Sequence, residues 1–389
     1  MPDALSALRA AFPVASRWIY FNHAAVAPVA LPVEAAVAEF LREAREHGSA
    51  GFQAWLARRE TARQAAAALI GARSSEVAFT TCTSQGLITV AEGLRLRPGD
   101  EIVCLQDDFP ANRIPWWRQA RRGARVVEVP RDDAGRVTPQ AILARVGPRT
   151  RLVAVSSVLY DSGFRLDLPA LGAGLAARNA AAAAEGRGAC ETLLCVDAIQ
   201  SLGALPLDVE ACRIDFLSAD SHKWLLGLEG IGLFYCRASR LEELDGPLVS
   251  WWSYAQPFAP WSPESPLQPD ARRFEYSVLP VAELYGFQAA LELLAAPGLP
   301  AIEQQILALG ERLARGLASR GWAVLSPRGR PADCSGIVTA SHPSRPAREA
   351  VERLTAAGVQ VTSRGGGVRF SPHAWNTAAE VDRLLEQLP

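Results

Sequence analysis

The feature that most constrains the fold of this chain is a series of short apolar runs spread along its first 240 residues. They are VAFT (77–80), EIVCL (101–105), RVVEVP (125–130), RLVAVSSV (151–158), TLLCVD (192–197) and DFLSA (215–219). The runs are rich in Val, Leu and Ile, and most are separated by segments long enough for a crossover helix. Strands that are apolar on both faces belong to a mostly parallel sheet covered by helices on both sides. The sequence therefore predicts a doubly wound α/β domain.

Helical patterns precede these runs, and a second alternating region follows them. Apolar residues recur at helical spacing over 32–48 and 52–70, which predicts two helices there. A segment dense in Pro and Ser, QPFAPWSPESPLQPD, is typical of a functional loop or a domain junction. At 389 residues the chain favours two domains. We expect a large domain over 15–255, a connecting loop over 256–274, and a smaller α/β domain made of 1–14 and 275–389.

The composition argues against several classes of function. A formal net charge of −1 leaves no long-range field to recruit nucleic acid or a membrane surface. No stretch approaches the roughly twenty apolar residues that cross a bilayer, and the N-terminus does not resemble a signal peptide. Seven cysteines without a CxxC pair favour reduced thiols over a disulfide framework or a zinc site. We expect a cytoplasmic protein with no metal, no nucleic-acid partner and no membrane partner.

Lys223 is the only lysine in the chain, so every other one of the 40 Lys and Arg residues is arginine. A chain with this bias should carry Arg wherever only positive charge is needed. Arg cannot supply a neutral amine, whereas Lys can lose its proton and form an imine with an aldehyde. Lys223 also lies just beyond the run 215–219, and ligands of open parallel sheets bind outside the carboxyl ends of the strands. The alternative is a solvated surface lysine.

Asp197 ends another predicted strand, the run 192–197. A buried carboxylate there is costly unless it is paired or functional. A protonated pyridine nitrogen would be a suitable partner, because a ring held in that state becomes an electron sink. Gln200, three residues further on, could reach another polar atom of the same ring. The alternative for Asp197 is the N-cap of a following helix.

A phosphate site is indicated where VAFT leads into the helical pattern TCTSQGLITVAEGL. Backbone N–H groups at a helix N-terminus bind phosphate, and Thr83 and Ser84 could add hydroxyl donors. Ser and Thr also cap many helices, so this signal is weak alone. Neither GxGxxG after a first strand nor GxxxxGK[ST] is present, which disfavours a dinucleotide or nucleoside-triphosphate enzyme.

An imine-forming lysine, a ring-nitrogen carboxylate and a phosphate-binding helix together suggest pyridoxal 5′-phosphate (PLP). Over nearly its whole length the chain resembles the class V aminotransferases of PLP fold type I, most specifically in VDAIQS and DFLSADSHKWLLG. That superfamily includes cysteine desulfurases, kynureninase, an isopenicillin N epimerase branch and several C–S lyases. The resemblance implies a large domain with a mostly parallel sheet and helices on both faces, plus a smaller C-terminal α/β domain. It also implies a homodimer with the site at its interface.

The resemblance gives four residues a role at the cofactor ring. Lys223 is similar to the lysine that forms the Schiff base, Asp197 to the partner of the pyridine nitrogen, and Gln200 to the donor to the ring hydroxyl. Phe109, in DDFPANRIPWW, matches the aromatic residue that stacks on the outer face of PLP.

Four further residues match the family's phosphate contacts. Thr83 and Ser84 match its hydroxyl pair, and His222 matches the His that precedes the lysine. The segment RFEYSVLP (273–280) resembles the one that reaches the partner subunit's phosphate, where Ser277 stands in place of the usual Gly of a Gly-Thr pair.

Three residues are expected at the substrate by the same resemblance. Arg369, in VRFSPHAWNTAAEVDRLL, matches the arginine that grips a substrate α-carboxylate, a task suited to a bidentate guanidinium. The alternative is a salt bridge at a strand edge. FNHAAVAP (21–28) resembles the N-terminal active-site turn, which places Asn22 and His23 near the substrate. A His that caps a turn is the alternative for His23.

Some positions depart from the family pattern. Cys82 stands where the family usually has Gly, and Asp220 where a Ser is frequent; we expect Asp220 to point away from the phosphate.

Cysteine desulfurases carry a persulfide-forming Cys on a loop just before the substrate arginine. In VQVTSRGGGVRF (359–370) that connection is short, contains Arg364 and three glycines, and has no Cys. The nearest upstream thiol is Cys334, so a desulfurase that uses its own thiol is not expected.

The sequence thus predicts a PLP-dependent enzyme that acts on the Cα and Cβ atoms of an amino acid through a Lys223 Schiff base. Once displaced by the substrate amine, Lys223 becomes the general base for the Cα proton. An aminotransferase and a C–S lyase acting by β-elimination are equally placed. The alternatives are an epimerase of the isopenicillin N epimerase type and a non-catalytic binding protein of the same fold. The motifs do not identify the substrate.

Overall fold

The protein is described by a computed structural model, which covers residues 4–185, 191–278 and 280–388. The helices of this part are α1 (Ala4–Ala10), α2 (Leu31–His47), α3 (Phe52–Leu69), α4 (Thr83–Gly93), α5 (Ile114–Ala120), α6 (Pro139–Leu143), α7 (Leu168–Ala184), α8 (Val281–Ala295), α9 (Leu299–Ala318), α10 (Ala347–Ala356) and α11 (Ala378–Gln387). The strands are β1 (Ile19–Tyr20), β2 (Val77–Thr80), β3 (Glu101–Leu105), β4 (Arg125–Val129), β5 (Thr150–Ser156), β6 (Leu193–Asp197), β7 (Phe216–Asp220), β8 (Gly232–Cys236), β9 (Ala323–Val324), β10 (Val338–Ser341), β11 (Val359–Gln360), β12 (Thr362–Arg364) and β13 (Gly367–Phe370).

A seven-stranded sheet dominates the structure, in the order β2-β8-β7-β6-β5-β3-β4. All six predicted apolar runs form strands of this sheet, and the mostly parallel α/β prediction is confirmed. Of the strands described, β8 alone runs against the others, pairing antiparallel with both β2 and β7. The pattern analysis did not include β8. Only eleven residues separate it from β7, too few for the crossover helix that a parallel neighbour needs.

Both faces of the sheet are buried, as the apolar runs required. On β5, Val153 and Val155 pack into one hydrophobic core, while Leu152 and Ala154 pack into a second core on the opposite face. Helices α2, α3 and α8 cover the first core, and α4 and α5 cover the second. Burying each large aliphatic side chain contributes about 1.5–3 kcal/mol, so the sheet is fixed from both sides.

A smaller region follows, built on the antiparallel sheet β12-β13-β10-β9. The helices α9, α10 and α11 pack on this sheet around a third core. Near the N-terminus, β1 pairs in parallel with β11 and ties this region to the start of the chain. Helix α8 lies inside the range 275–389 expected for the smaller domain, yet it packs against α2 and α3.

Within the part of the chain that is described, no helix is both long enough and apolar enough to cross a membrane. The same residues include no cluster of three or more His, Cys, Asp or Glu side chains that could hold a metal ion.

Candidate active site

The candidate site lies where the parallel strands of the large sheet end. Because β8 separates β2 from β7 and is antiparallel to both, β2 points the same way as β3, β5, β6 and β7. In the ladder, Ser156 of β5 is opposite Asp197 of β6, which is opposite Ser218 of β7. The residues that follow these strands therefore meet at one edge, as expected for ligand sites of open α/β sheets.

A cavity of about 230 Å³ occupies this edge. It is lined by Cys82, Thr83, Ser84, Phe109, Ala111, Ser156, Val158, Tyr160, Asp197, Ile199, Gln200, Asp220, His222 and Lys223. Seven residues that were predicted at widely separated positions in the sequence thus line one cavity. They are Thr83, Ser84, Phe109, Asp197, Gln200, His222 and Lys223.

The loop after β7 holds Lys223 in a tight turn. The Leu226 N–H donates to the Lys223 carbonyl at 3.1 Å, and Gly227 N–H donates to the Ser221 carbonyl at 2.9 Å. Leu226 is fully buried with a φ of 60°, a left-handed conformation that costs a branched residue about 1–3 kcal/mol. Trp224, which directly follows Lys223, is also fully buried. The surrounding core therefore overrides the local preference of the backbone and sets the position of Lys223.

The amine of Lys223 and the carboxylate of Asp197 shift each other's proton affinity. Burial lowers the pKa of Lys223 to about 8; Asp197 opposes this shift and Arg369 adds to it. Burial and the nearby carboxylate of Asp108 also raise the pKa of Asp197, to about 7. A hydrogen bond from Ile199 N–H at 3.0 Å favours the charged carboxylate. A substantial share of Lys223 is consequently neutral near pH 8, as a nucleophile or general base requires.

Helix α4 brings its N-terminus to the cavity. The Asp220 N–H donates to Thr83 Oγ1 at 2.8 Å, and Ser218 Oγ donates to the Thr83 carbonyl at 3.1 Å. Gly86 permits this approach, because a Cβ there would lie 2.7 Å from the Cβ of Ser218. Cys82, at the N-cap, is extended (φ −169°, ψ 164°), a backbone conformation open to any residue. Replacing the family's Gly with Cys82 is thus compatible with the turn, and the positive end of α4 faces the cavity.

Asp220 is among the residues that line the cavity, and its pointing away from the phosphate stays a prediction. Its Oδ1 accepts a hydrogen bond from Ser221 N–H at 2.8 Å and lies 3.0 Å from His222 Nδ1. The carboxylate is therefore directed at the imidazole of His222.

Phe109 is held by Asp108, a residue that the sequence analysis missed. Asp108 is buried and accepts hydrogen bonds from Phe109 N–H (2.7 Å), Asn112 Nδ2 (3.0 Å), Ser156 N–H (3.1 Å) and Ser156 Oγ (2.6 Å). The Phe109 ring is 42 % exposed, and Lys223 Nζ lies over it, 5.9 Å from its centroid. A buried carboxylate thus fixes the aromatic wall of the cavity. The only signal in the sequence was an acidic residue beyond a strand end, and adjacent Asp107 carries the same signal.

The amide of Gln200 is oriented by two partners. Its Oε1 accepts from Trp224 Nε1 at 2.9 Å, and its Nε2 donates to the Ala24 carbonyl at 3.1 Å. Because Nε2 has two hydrogens, one N–H is left for a ligand in the cavity. The donor role that the resemblance implies for Gln200 needs such an N–H and stays a prediction.

Arg369 reaches the rim of the cavity from β13. Its side chain is buried, and Nη1 donates to the Tyr160 carbonyl at 2.7 Å. Its buried Nε has no hydrogen-bond partner among the described residues. Burial and the positive charge of Arg364 lower the pKa of Arg369 to about 10. Arg369 therefore stays protonated at neutral pH and has a donor free for an anion.

The other three predicted residues do not line the cavity. His23 is fully buried, with Nδ1 3.0 Å from the Ser371 carbonyl, and burial together with His373 holds its pKa well below the usual value. This environment matches the structural alternative for His23. The backbone of Asn22 forms an isolated parallel β-bridge with Ser371, and the buried Asn22 Oδ1 has no hydrogen-bond partner among the described residues. Ser277 is partly buried and lies outside the cavity.

Comparison with known proteins gives consistent findings. The family model described as Aminotransferase class-V matches residues 19–384. A probable cysteine desulfurase from Methanothermobacter thermautotrophicus is 29 % identical over 98 % of this chain and 96 % of its own length. Isopenicillin N epimerase from Streptomyces clavuligerus is 32 % identical over 84 % of this chain and 83 % of its own. A solved lysine-to-alanine variant of C-DES, with glycine covalently linked to its PLP cofactor, superimposes with a TM-score of 0.87 at 24 % identity, covering 100 % and 99 % of the two chains.

Proposed function

We propose that this chain, which belongs to the aminotransferase class-V family and is a PLP-dependent enzyme acting on Cα and Cβ of an amino acid, is a C–S lyase. The observation that carries the proposal is the placement of Lys223 and Asp197 in one cavity, with Arg369 at its rim. The lyase reaction releases a sulfur-linked group from Cβ.

The residues around the cavity fit PLP chemically. A partly neutral amine on Lys223 suits an aldehyde, and the carboxylate of Asp197 suits a protonated ring nitrogen. The N-terminus of α4 suits a phosphate, and the free N–H of Gln200 suits the ring oxygen. When bound, PLP supplies an aldehyde that bonds to amines and a ring that accepts electrons from Cα.

Each side chain then has a defined task. Arg369 binds the substrate carboxylate through its free donors, which orients the Cα–H bond. Lys223 accepts the Cα proton on its amine, since a pKa near 8 leaves enough of it neutral. Asp197 balances the charge of the ring nitrogen, and Phe109 covers one side of the site without adding charge.

The short turn between β12 and β13 favours a lyase that releases its sulfur product over a desulfurase that keeps sulfur on its own thiol. Strands β12 and β13 are joined by only Gly365 and Gly366, so no thiol stands there. Cys334 is buried, with Sγ 3.4 Å from the Arg330 carbonyl. The C–S bond as target is supported by the relative named a probable cysteine desulfurase.

Transamination is the second candidate, because the family model is that of aminotransferases and the Lys223 amine could donate a proton as well as accept one. Epimerisation is not favoured. It needs a second proton donor, on the face of Cα opposite Lys223, and none of the tasks given above supplies one.

Product analysis tests the proposal. Purified protein loaded with PLP is mixed with L-cystine and with S-substituted cysteines, while the visible absorbance of the cofactor is recorded. A lyase gives pyruvate with a thiol or persulfide and returns the cofactor to its starting spectrum. A stoichiometric keto acid with a pyridoxamine spectrum would instead establish transamination, and a protein that never takes up PLP would refute both. Arg348→Gln changes an exposed side chain on α10 and should react like the wild type, so it serves as the control variant.

The same proposal includes a cytoplasmic homodimer in which Ser277 is directed at the partner subunit's phosphate. It keeps a large domain over 15–255, a connecting loop over 256–274, and a smaller domain made of 1–14 and 275–389. Six cysteines among the described residues are free thiols, as in a reducing compartment. The segment before Ser277 exposes large apolar side chains, including Phe258 (70 % exposed) and Trp261 (54 %), which a second copy would cover. Light scattering of the holoenzyme should give twice the chain mass of 41.7 kDa; a monomer would contradict the dimer.

A further inference from the structure

We propose that the enzyme prefers amino acids whose β-substituent carries a second anionic group, such as a distal carboxylate, and that Arg364 binds this group. The inference rests on the proposed function and specifies its substrate class. It depends on the arrangement of β12 and β13 and on the charges around them.

Arg364 and Arg369 lie on the same face of the β12–β13 hairpin. In the antiparallel register, Thr362 is opposite Arg369 and Arg364 is opposite Gly367. Opposite residues of an antiparallel pair project to the same face, so Arg364 is the diagonal neighbour of Arg369, at a distance of about 7–8 Å. Arg369 is buried and Arg364 is exposed, so Arg369 is the inner and Arg364 the outer of two guanidinium groups on this face.

The turn between the strands fixes where Arg364 stands. Gly365 and Gly366 have φ values of 58° and 77°, the left-handed pair of a two-residue hairpin turn. Gly365 lies against Asp161, where a Cβ would come within 3.1 Å of the Asp161 Cβ. Tyr160, the residue before, lines the cavity and accepts the hydrogen bond of Arg369. The hairpin tip is therefore packed on the rim of the cavity.

The charges at this rim are unbalanced. The carboxylate of Asp161 is engaged by both terminal nitrogens of Arg131, at 2.9 and 3.0 Å, and by Ser162 N–H at 2.7 Å. No acidic side chain of the described residues pairs with Arg364, whose one hydrogen bond reaches the Ser363 carbonyl at 3.4 Å. Its charge nevertheless lowers the pKa of both Arg369 and Lys223. Arg364 thus has no acidic partner among the described residues and lies on the same hairpin face as Arg369, so a substrate with two anionic groups would satisfy both guanidinium groups.

A matched pair of substrates tests this inference on the holoenzyme. S-(2-carboxyethyl)-L-cysteine carries the distal carboxylate, and S-(2-carbamoylethyl)-L-cysteine replaces it with a neutral amide of nearly the same shape. We expect the wild-type enzyme to favour the carboxylate about tenfold in kcat/KM, a typical loss for one hydrogen bond to a charged group. Arg364→Gln should bring the ratio close to one by raising KM for the carboxylate alone. Arg364→Lys should keep part of the preference, and the control Arg348→Gln should keep all of it.

The dissociation constants from the change in cofactor absorbance provide a second readout, since they do not depend on which reaction follows binding. Equal handling of both compounds by the wild type, or an unchanged ratio in Arg364→Gln, would overturn the inference while leaving the proposed function intact. If neither compound nor any other amino acid perturbs the cofactor, the proposed function fails, and the inference fails with it.

Discussion

Replacing Lys223 with Met should make the cofactor-free protein more stable, because the amine is buried at a cost. A pKa held near 8 in the folded protein, against 10.5 for a free lysine, corresponds to about 3 kcal/mol of destabilisation while the amine is protonated. Below pH 8 the folded and unfolded states both hold the proton, so the full cost applies. Between pH 8 and 10.5 only the unfolded state still holds it, so stability rises with pH.

Met removes the buried charge and leaves Asp197 without its cation, which offsets part of the gain. We therefore expect Lys223→Met to raise the free energy of unfolding by about 1–3 kcal/mol at pH 7.5. Because the wild-type amine is largely neutral at pH 9.5, the advantage should shrink there by about 1–2 kcal/mol. Urea denaturation of both apo-proteins at the two pH values measures this, with Arg348→Met as an exposed control. A variant that is less stable at pH 7.5, or an advantage that does not change with pH, would refute the reasoning.

Three further outcomes are expected. Asp108→Asn should lower the free energy of unfolding, measured by urea denaturation, by about 2–3 kcal/mol. The carboxylate accepts hydrogen bonds at both oxygens, whereas the amide nitrogen would be a donor opposite other donors; an unchanged midpoint would contradict this. Gly86→Ala should cost about 1–3 kcal/mol and weaken PLP binding measured by fluorescence titration, since its Cβ would overlap Ser218; unaltered PLP affinity would show that α4 does not hold the phosphate. Arg369→Gln should raise KM about tenfold to a hundredfold with a smaller change in kcat, and a selective loss of kcat would assign the residue to the transition state instead.

The sequence was most informative where one requirement determines several residues at once. A strand buried on both faces must be apolar throughout, so six strands could be predicted with bounds within two residues of those observed. The single Lys in an Arg-rich chain marked position 223, because a lysine side chain can become neutral and an arginine side chain cannot. Strand ends in a parallel sheet share one edge, which is why Asp197 and Lys223 could be placed together without a structure.

What the sequence did not reveal depends on contacts between distant segments. Asp108 binds the Phe109 N–H and is itself held by Ser156 of β5, and nothing in DDFPAN distinguishes it from Asp107. His23 looks like a substrate contact by sequence, but the packing of Trp375 and His373 around it decides its environment. The role of Trp224 in orienting Gln200 likewise follows from a turn whose shape depends on Leu226 in a conformation that Leu rarely adopts.

The most direct test of the central claim is to locate the bond between the protein and PLP. Borohydride reduction of the holoenzyme followed by trypsin digestion should leave residues 214–237 as one peptide that carries the mass of the reduced cofactor. Trypsin cleaves after Arg213 and Arg237 but cannot cleave at a modified Lys223. A digest in which this peptide is cut at position 223, with the cofactor mass absent or attached elsewhere, would contradict the account.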